Sequence, residues 1–200
     1  MESTPFTDDA DRLLHRMHTR QHIAPKRLVG PGPDAHARAC ILRAAESAPD
    51  HGRLHPWRLI EITQARRNDL GVAFTQALLL RDPAASAEQQ AAAHEKALRA
   101  PYLMLAVLCS VEPGDAGDTV PDNERLLSLG CGIQNMLLMA EALSLGAGIT
   151  SGQALQTDPI RRLFSLAAHE KAQCFLGFGH VKTRKPPRAR APYPAFFSQL

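Results

Sequence analysis

The sequence is short of aromatic residues, of closely spaced cysteines and of long apolar runs, and each shortage removes a class of protein. Aromatics make up only 5% of the 200 residues, which argues against a large sandwich of β-branched and aromatic strands; abundant alanine suits closely packed helices instead. Cys40, Cys109, Cys131 and Cys174 come no nearer to one another than 22 positions. No CxxC pair is therefore available for zinc, an iron–sulfur cluster or a redox disulfide, and buried free thiols in a reducing compartment are the simpler reading. The longest strongly apolar stretch, Tyr102 to Cys109, falls far short of the roughly 20 residues a membrane-spanning helix needs. The N-terminal MESTPFTDDADRLL is acidic and lacks the apolar core of a signal peptide. A cytoplasmic protein with no membrane partner is expected. The net charge of +3 is small, and its excess is concentrated in Lys182, Arg184, Lys185, Arg188 and Arg190. That is a poor footprint for nucleic acid and a better one for a local anion site.

Hydrophobic periodicity supplies the elements. Asp8 to Thr19 carries Leu13, Leu14 and Met17 at helical spacing. Asp34 is placed as the N-cap of a second helix running to about Ser47, after a turn-rich segment. Trp57 to Thr63 reads as a strand, residues 64–81 and 86–99 as helices, and PYLMLAVLCSV from Pro101 as a strand buried on both faces. The stretch from Asn123 to Leu145 is the longest helix and is apolar around most of its circumference, so it needs cover on several sides; a subunit interface provides that readily. Gly148 to Ser151 is expected as a short strand, Asp158 to Leu166 as a helix and Gln173 to Val181 as the last strand. Strands interleaved with helices indicate an α+β fold with a sheet between helical layers. One domain is expected over residues 1–200, with 183–200 an extended, proline-rich C-terminal arm.

Standard catalytic signatures are missing. There is no GxSxG, HExxH or GxxxxGK[ST], and GAGITSG around Gly146, Gly148 and Gly152 follows a helix with the wrong spacing for a dinucleotide fingerprint. His18 with His22, and His51 with His55, are pairs four apart, but Gly52 and Pro56 oppose a continuous helix at the second pair and no further ligands fall at zinc spacing. No metal site and no catalytic side chain are nominated. What remains suits a phosphate joined to a planar ring: Arg20, the loop from Ala48 to Trp57, the glycine-rich Gly148 to Gly152, and the basic tail.

At these same segments the chain resembles the FMN-dependent nitroreductase family, in particular its small bacterial subgroup of about this length. RQHIAPKRL at residues 20–28 stands where that subgroup has an RRS-type signature and a PKRL-like stretch. APDHGRLHPWRL at 48–59 matches its APDHGxLxPWRF, and GCGIQNMLLMAEALSLGAG at 130–148 resembles its dimer-interface helix. ITSGQAL at 149–155 departs from the usual Trp-Arg-Ser-Gly turn. The resemblance implies a three-layer α-β-α sandwich, with helices around a central mixed sheet, in an intertwined homodimer whose tail reaches across to the partner.

It further implies FMN as cofactor and NADPH or NADH as co-substrate, in a ping-pong reduction of nitroaromatics, quinones or similar electron-poor acceptors. Carried over by position, Arg20 would hold the phosphate with Gln21 and His22 beside it, helped by Arg188 or Arg190. Ser47 and His51 would contact FMN from the other subunit, and Thr150, Ser151 and Gly152 would line the ring. Trp57 is read as a packing residue. The altered RQH and ITSG segments leave two rivals: a flavin protein of the same fold with another redox or storage role, and a cofactor-less dimer acting in protein interaction.

Overall fold

The computed structural model describes residues 8–111, 114, 117, 119–186 and 189–200. Its main elements run α1 (Asp8–Thr19), β1 (Leu28–Val29), α2 (Ala35–Glu46), β2 (Trp57–Glu61), α3 (Arg67–Arg81), α4 (Ala87–Glu95), β3 (Tyr102–Cys109), α5 (Asp122–Ala142), β4 (Gly146–Thr150), α6 (Asp158–Leu163) and β5 (Glu170–Val181). The Asp34 carboxylate caps α2 as expected, accepting from the Ala37 amide at 2.7 Å. β1 lies in the segment expected only as turns, and β5 starts three residues before the expected Gln173.

β5 is the hub of the sheet. It pairs with β1, β3 and β4, while β2 joins through β3. All of these pairings are antiparallel, which corrects the expectation of a mixed sheet; among the described residues the parallel component is a single bridge between His22 and Ala147. Helices separate most of the strands along the chain, and such connections permit parallel neighbours without requiring them.

Alternation along β3 builds two cores. Tyr102, Met104, Ala106 and Leu108 face Ile41 of α2 and Leu129 and Met136 of α5. Leu103, Leu105 and Val107 face Leu70 and Ala73 of α3 and Ile160 of α6. Burial on both faces explains the unbroken apolar run of that strand, and helices on either side make the three layers. A bulge between Ala106 and Val107 shifts the register on β5, so that Cys174, Leu176 and Phe178 serve the first core and Ala172 and Phe175 the second.

Arg125 locks the start of α5 to the end of β3. Its buried guanidinium donates to the carbonyls of Val120 (3.0 Å), Gly117 (2.7 Å) and Cys109 (3.3 Å). One face of α5 thus lies on the sheet, and its other face is free to serve a site. Among the described residues no helix is long and apolar enough to cross a membrane.

Candidate cofactor-binding site

The chain leaves α1 and runs alongside β4. The Ile23 amide donates to the Ala147 carbonyl at 3.0 Å, and Gly148 permits the approach: a Cβ there would lie 2.2 Å from the Ile23 carbonyl oxygen. This pairing fixes the backbone that carries Arg20, Gln21 and His22. The Ile149 amide in turn donates to His22 Nδ1 at 3.4 Å. Burial, then Arg20 and Arg27, lower the His22 pKa, so the ring is neutral at pH 7 with its proton on Nε2.

The basic tail folds back over the same strand. Arg190 Nη2 donates to the Arg20 carbonyl and Gln21 Nε2 to the Lys185 carbonyl, both at 3.0 Å. Arg188 lies outside the described residues. Burial and then the charge of Arg190 lower the pKa of Arg20, with Glu141 acting the other way. Glu141 itself is engaged by Arg184 at 3.2 Å. The Nε atoms of Arg20 and Arg27 are both buried and have no hydrogen-bond partner among the described residues. Crowded cations with desolvated donors make this cluster a candidate site for an anion.

Thr150, half-buried, and Ser151 and Gly152, both exposed, leave the end of β4 just beyond Ile149, whose amide meets His22. Among the described residues nothing lies within 4 Å of where a Gly152 Cβ would stand.

Ser47 and His51 are elsewhere. Ser47 Oγ accepts from Asn135 Nδ2 at 3.1 Å, and His51 Nδ1 meets Glu124 Oε2 at 2.7 Å. Asp50 ties the His51 loop by accepting from the amides of Leu54 (3.1 Å) and His55 (2.9 Å). Arg53 and His55 have positive φ, at 54° and 46°, a local concentration of backbone strain of the kind found at functional sites, while Gly52, at 74°, takes that region without strain. Glu124 and Glu141 stand seventeen residues apart on α5, about 25 Å at 1.5 Å per residue. One chain therefore does not bring His51 together with Arg20, whereas Asn135, the partner of Ser47, stands midway, six residues or about 9 Å from Glu141. Sequence reasoning passed over Arg27, Glu124 and Asn135; Arg27 and Asn135 lie inside the quoted PKRL and QN strings, but no local signal names a partner for Glu124.

Between those ends α5 presents an open groove of about 740 Å³, lined by Asn123, Leu126, Leu127, Gly130, Cys131, Gln134 and Asn135 with Ser47 and Pro49 across from them. These positions form one stripe of the helix. Leu127 is 68% exposed in it. The thiols are only partly as expected: Cys174 is buried and pushed up to about 11 by desolvation, whereas Cys131 is exposed in the groove. Trp57 packs against the first core and donates to Ser128 Oγ at 3.0 Å, the packing role expected of it. Among the described residues no group of three or more His, Cys, Asp or Glu side chains is placed to hold a metal.

Helices on both faces of an antiparallel sheet, with a basic cluster at one end, define an α+β protein with a candidate anion site. The chain belongs to the nitroreductase family, whose model matches residues 31–180, and it is an oxidoreductase of that family. A Haemophilus influenzae protein provisionally named an NAD(P)H nitroreductase is 30% identical over 82% of this chain and 87% of the relative. The Escherichia coli K12 protein YdjA, provisionally given the same activity, is 27% identical over 86% and 90%. Among solved structures, a nitroreductase-like family protein from Bacillus cereus superposes with a TM-score of 0.77 at 16% identity, covering 100% of this chain and 99% of the other. A Desulfovibrio desulfuricans protein solved in complex with FMN gives 0.69 at 21% identity, over 94% and 96%.

Proposed function

We propose that the chain is a cytoplasmic FMN-dependent enzyme that takes hydride from NADPH or NADH and passes it to a nitroaromatic, quinone or similar electron-poor acceptor in a ping-pong sequence, with its sites built across a homodimer. The observation that carries this reading is the buried Nε of Arg20, without a partner among the described residues, in a cluster with Arg190 and the neutral His22. Those donors fit the phosphate of FMN in charge and in hydrogen-bonding capacity. The provisional activity of the relatives and the FMN complex of a structural neighbour point the same way. Four free cysteines suit a reducing compartment.

When bound, FMN supplies the hydride chemistry itself. The chain's own residues bind and orient it. Arg20 and Arg190, with Arg188 from the same tail, hold the phosphate; Gln21 anchors the tail through the Lys185 carbonyl, and the Nε2–H of His22 adds a neutral donor. Thr150, Ser151 and Gly152 offer an open backbone edge to the ring. Ser47, at the middle of α5 beside Asn135, and His51, near its start beside Glu124, complete the site of the opposite subunit.

A two-fold dimer supports that arrangement, because each half-site then meets the other kind. Its surfaces are the α5 groove, the bare Leu13, Leu14 and Met17 of α1, and Tyr193, Phe196 and Phe197 of the tail, all exposed in the single chain. α1 buries none of its residues. Closing two chains around the cofactor would exclude water and set donor and acceptor in turn on the same ring.

The test is the visible absorption spectrum of the purified protein, followed by anaerobic NADPH and then a quinone or nitroaromatic. Flavin bands that bleach and recover are expected. If no bands form even with excess FMN, the reading fails and a non-redox role for the dimer takes its place. Bands that bleach but do not recover with these acceptors indicate another redox or storage role.

A further inference from the structure

The contact of His51 with Glu124 has more structure behind it than a surface ion pair requires. His51 Nδ1 stands 2.7 Å from Glu124 Oε2, with the two side chains 70% and 43% exposed, and an exposed pair of this kind adds little to stability. Yet both ends are braced. Asp50 holds the His51 loop through the Leu54 and His55 amides, and the Leu54 side chain seats against Gly117, where a Cβ would lie 2.5 Å from its Cδ1. The Gly117 carbonyl accepts from Arg125, the buried residue next to Glu124. The loop, the segment before α5 and the first turn of α5 are thus tied together, and the contact of His51 with Glu124 closes the circuit.

Neighbouring carboxylates are otherwise occupied. Asp50 accepts the two amides and lies 3.7 Å from the His55 ring. Asp122 takes the Lys171 ammonium and the Val111 amide, each at 3.0 Å. Glu124 is left to hold His51 Nδ1 as a donor, and Nε2 has no partner among the described residues. Pro49 and Asn123, two residues before His51 and one before Glu124, line the α5 groove. A carboxylate that fixes one imidazole nitrogen and leaves the other free is an arrangement suited to proton transfer.

We propose that His51 is the proton donor to the electron acceptor, with Glu124 as its positioning residue. This rests on the reading that His51 completes the flavin site of the opposite subunit. The acceptors of that reading need a proton with each hydride. A quinone takes one of each to become a hydroquinone; a nitro group takes one of each, breaks an N–O bond and yields a nitroso group and water. The hydride originates in the nicotinamide. The His51 imidazolium gives up its Nε2 proton, keeps Nδ1–H on Glu124 and is reprotonated from water.

The experiment follows the two halves of turnover separately in FMN-loaded protein, by stopped-flow absorbance. His51→Gln is expected to leave bleaching by NADPH unchanged and to slow recovery with a quinone about a hundredfold, the lower end of what a positioned acid contributes. Recovery with ferricyanide, which takes an electron and no proton, is expected to stay the same. Glu124→Ala slows the quinone step about tenfold, through loss of one charge-assisted hydrogen bond. In flavin-free protein, nitrogen-15 spectra of the neutral His51 ring are expected to place the proton on Nδ1 in the parent and on Nε2 in Glu124→Ala. Unchanged quinone recovery in His51→Gln overturns the proposal. So does equal slowing of bleaching, ferricyanide and quinone steps, which would make His51 a support for the ring. A parent ring with its proton on Nε2 removes Glu124 from the scheme. If His51→Gln does not load with FMN, Glu124→Ala carries the same comparison. Parent protein that takes up no FMN, or is not bleached by NADPH, overturns the reading of the site itself, and His51's part with it.

Discussion

Replacing Gly148 by alanine probes how the fold positions Arg20. The new Cβ would sit 2.2 Å from the Ile23 carbonyl oxygen, where contacts closer than 3.0 Å are essentially never seen. The obstacle is backbone, so no side-chain rotation relieves it. Ile23 is itself fully buried, and on the other side Gly148 pairs with Gly177 of β5. The strand carrying His22 and Ile23 must therefore peel away from β4, stretching the Ile23 to Ala147 hydrogen bond and the Ile149 contact with His22 Nδ1. Overpacking with loss of one buried hydrogen bond costs about 2–3 kcal/mol, and Tm falls by roughly 4–10 °C for a chain of this size. Arg20 lies three residues upstream and moves with the strand, so FMN affinity falls as well, while Gly152→Ala, with open space around its Cβ, keeps its Tm. Thermal unfolding of flavin-free protein and an FMN titration measure both effects. A Gly148→Ala protein with the parent's Tm and FMN affinity would refute the idea that close packing of this strand positions the basic cluster.

Leu127→Glu places a charge in the α5 groove, and two-fold symmetry repeats it on the other chain. Light scattering should show the mass of a single chain together with loss of bound flavin; a flavin-loaded dimer would remove α5 from the interface. Glu170→Gln breaks a largely buried ion pair in which Arg58 donates to the carboxylate at 2.5 and 2.9 Å and the Ala167 amide donates at 3.0 Å. Because Arg58 is 44% exposed, a loss of about 2 kcal/mol is expected, below the 3–5 kcal/mol of a fully buried pair. Arg58 holds the Glu170 pKa down, with burial opposing and the Ala167 amide helping. The pair's contribution is therefore complete above the ordinary glutamate value of about 4.3 and disappears as pH falls through the lowered folded value. Urea midpoints measured from pH 7 to pH 3 should converge for parent and variant, and a constant gap would contradict the linkage.

Much of this architecture is local and so was legible in the residues. α1 begins and ends where its periodicity does, Asp34 caps α2, and Tyr102 to Cys109 is apolar throughout because helices cover both faces of β3. The resemblance nominated Arg20, Gln21, His22 and Arg190 together, and in the structure Arg190 reaches the Arg20 carbonyl while Gln21 reaches the Lys185 carbonyl. Short or distant pairings were not legible. β1 has only two residues, too few for any period, and it sits between prolines that signal turns. The His51 contact with Glu124 joins positions 73 apart, and neither residue announces the other.

The sequence by itself determined where helices and strands fall and which residue types could meet a phosphate, because capping, periodicity and turn chemistry act over a few residues. Only the tertiary structure decided that the strand pairings are antiparallel, that Arg27 like Arg20 has a buried Nε with no partner among the described residues, and that His51 lies near the far end of α5 with Ser47 beside its middle. Those outcomes depend on which distant backbones approach closely enough to share hydrogen bonds and exclude water, and that is settled by packing the whole chain.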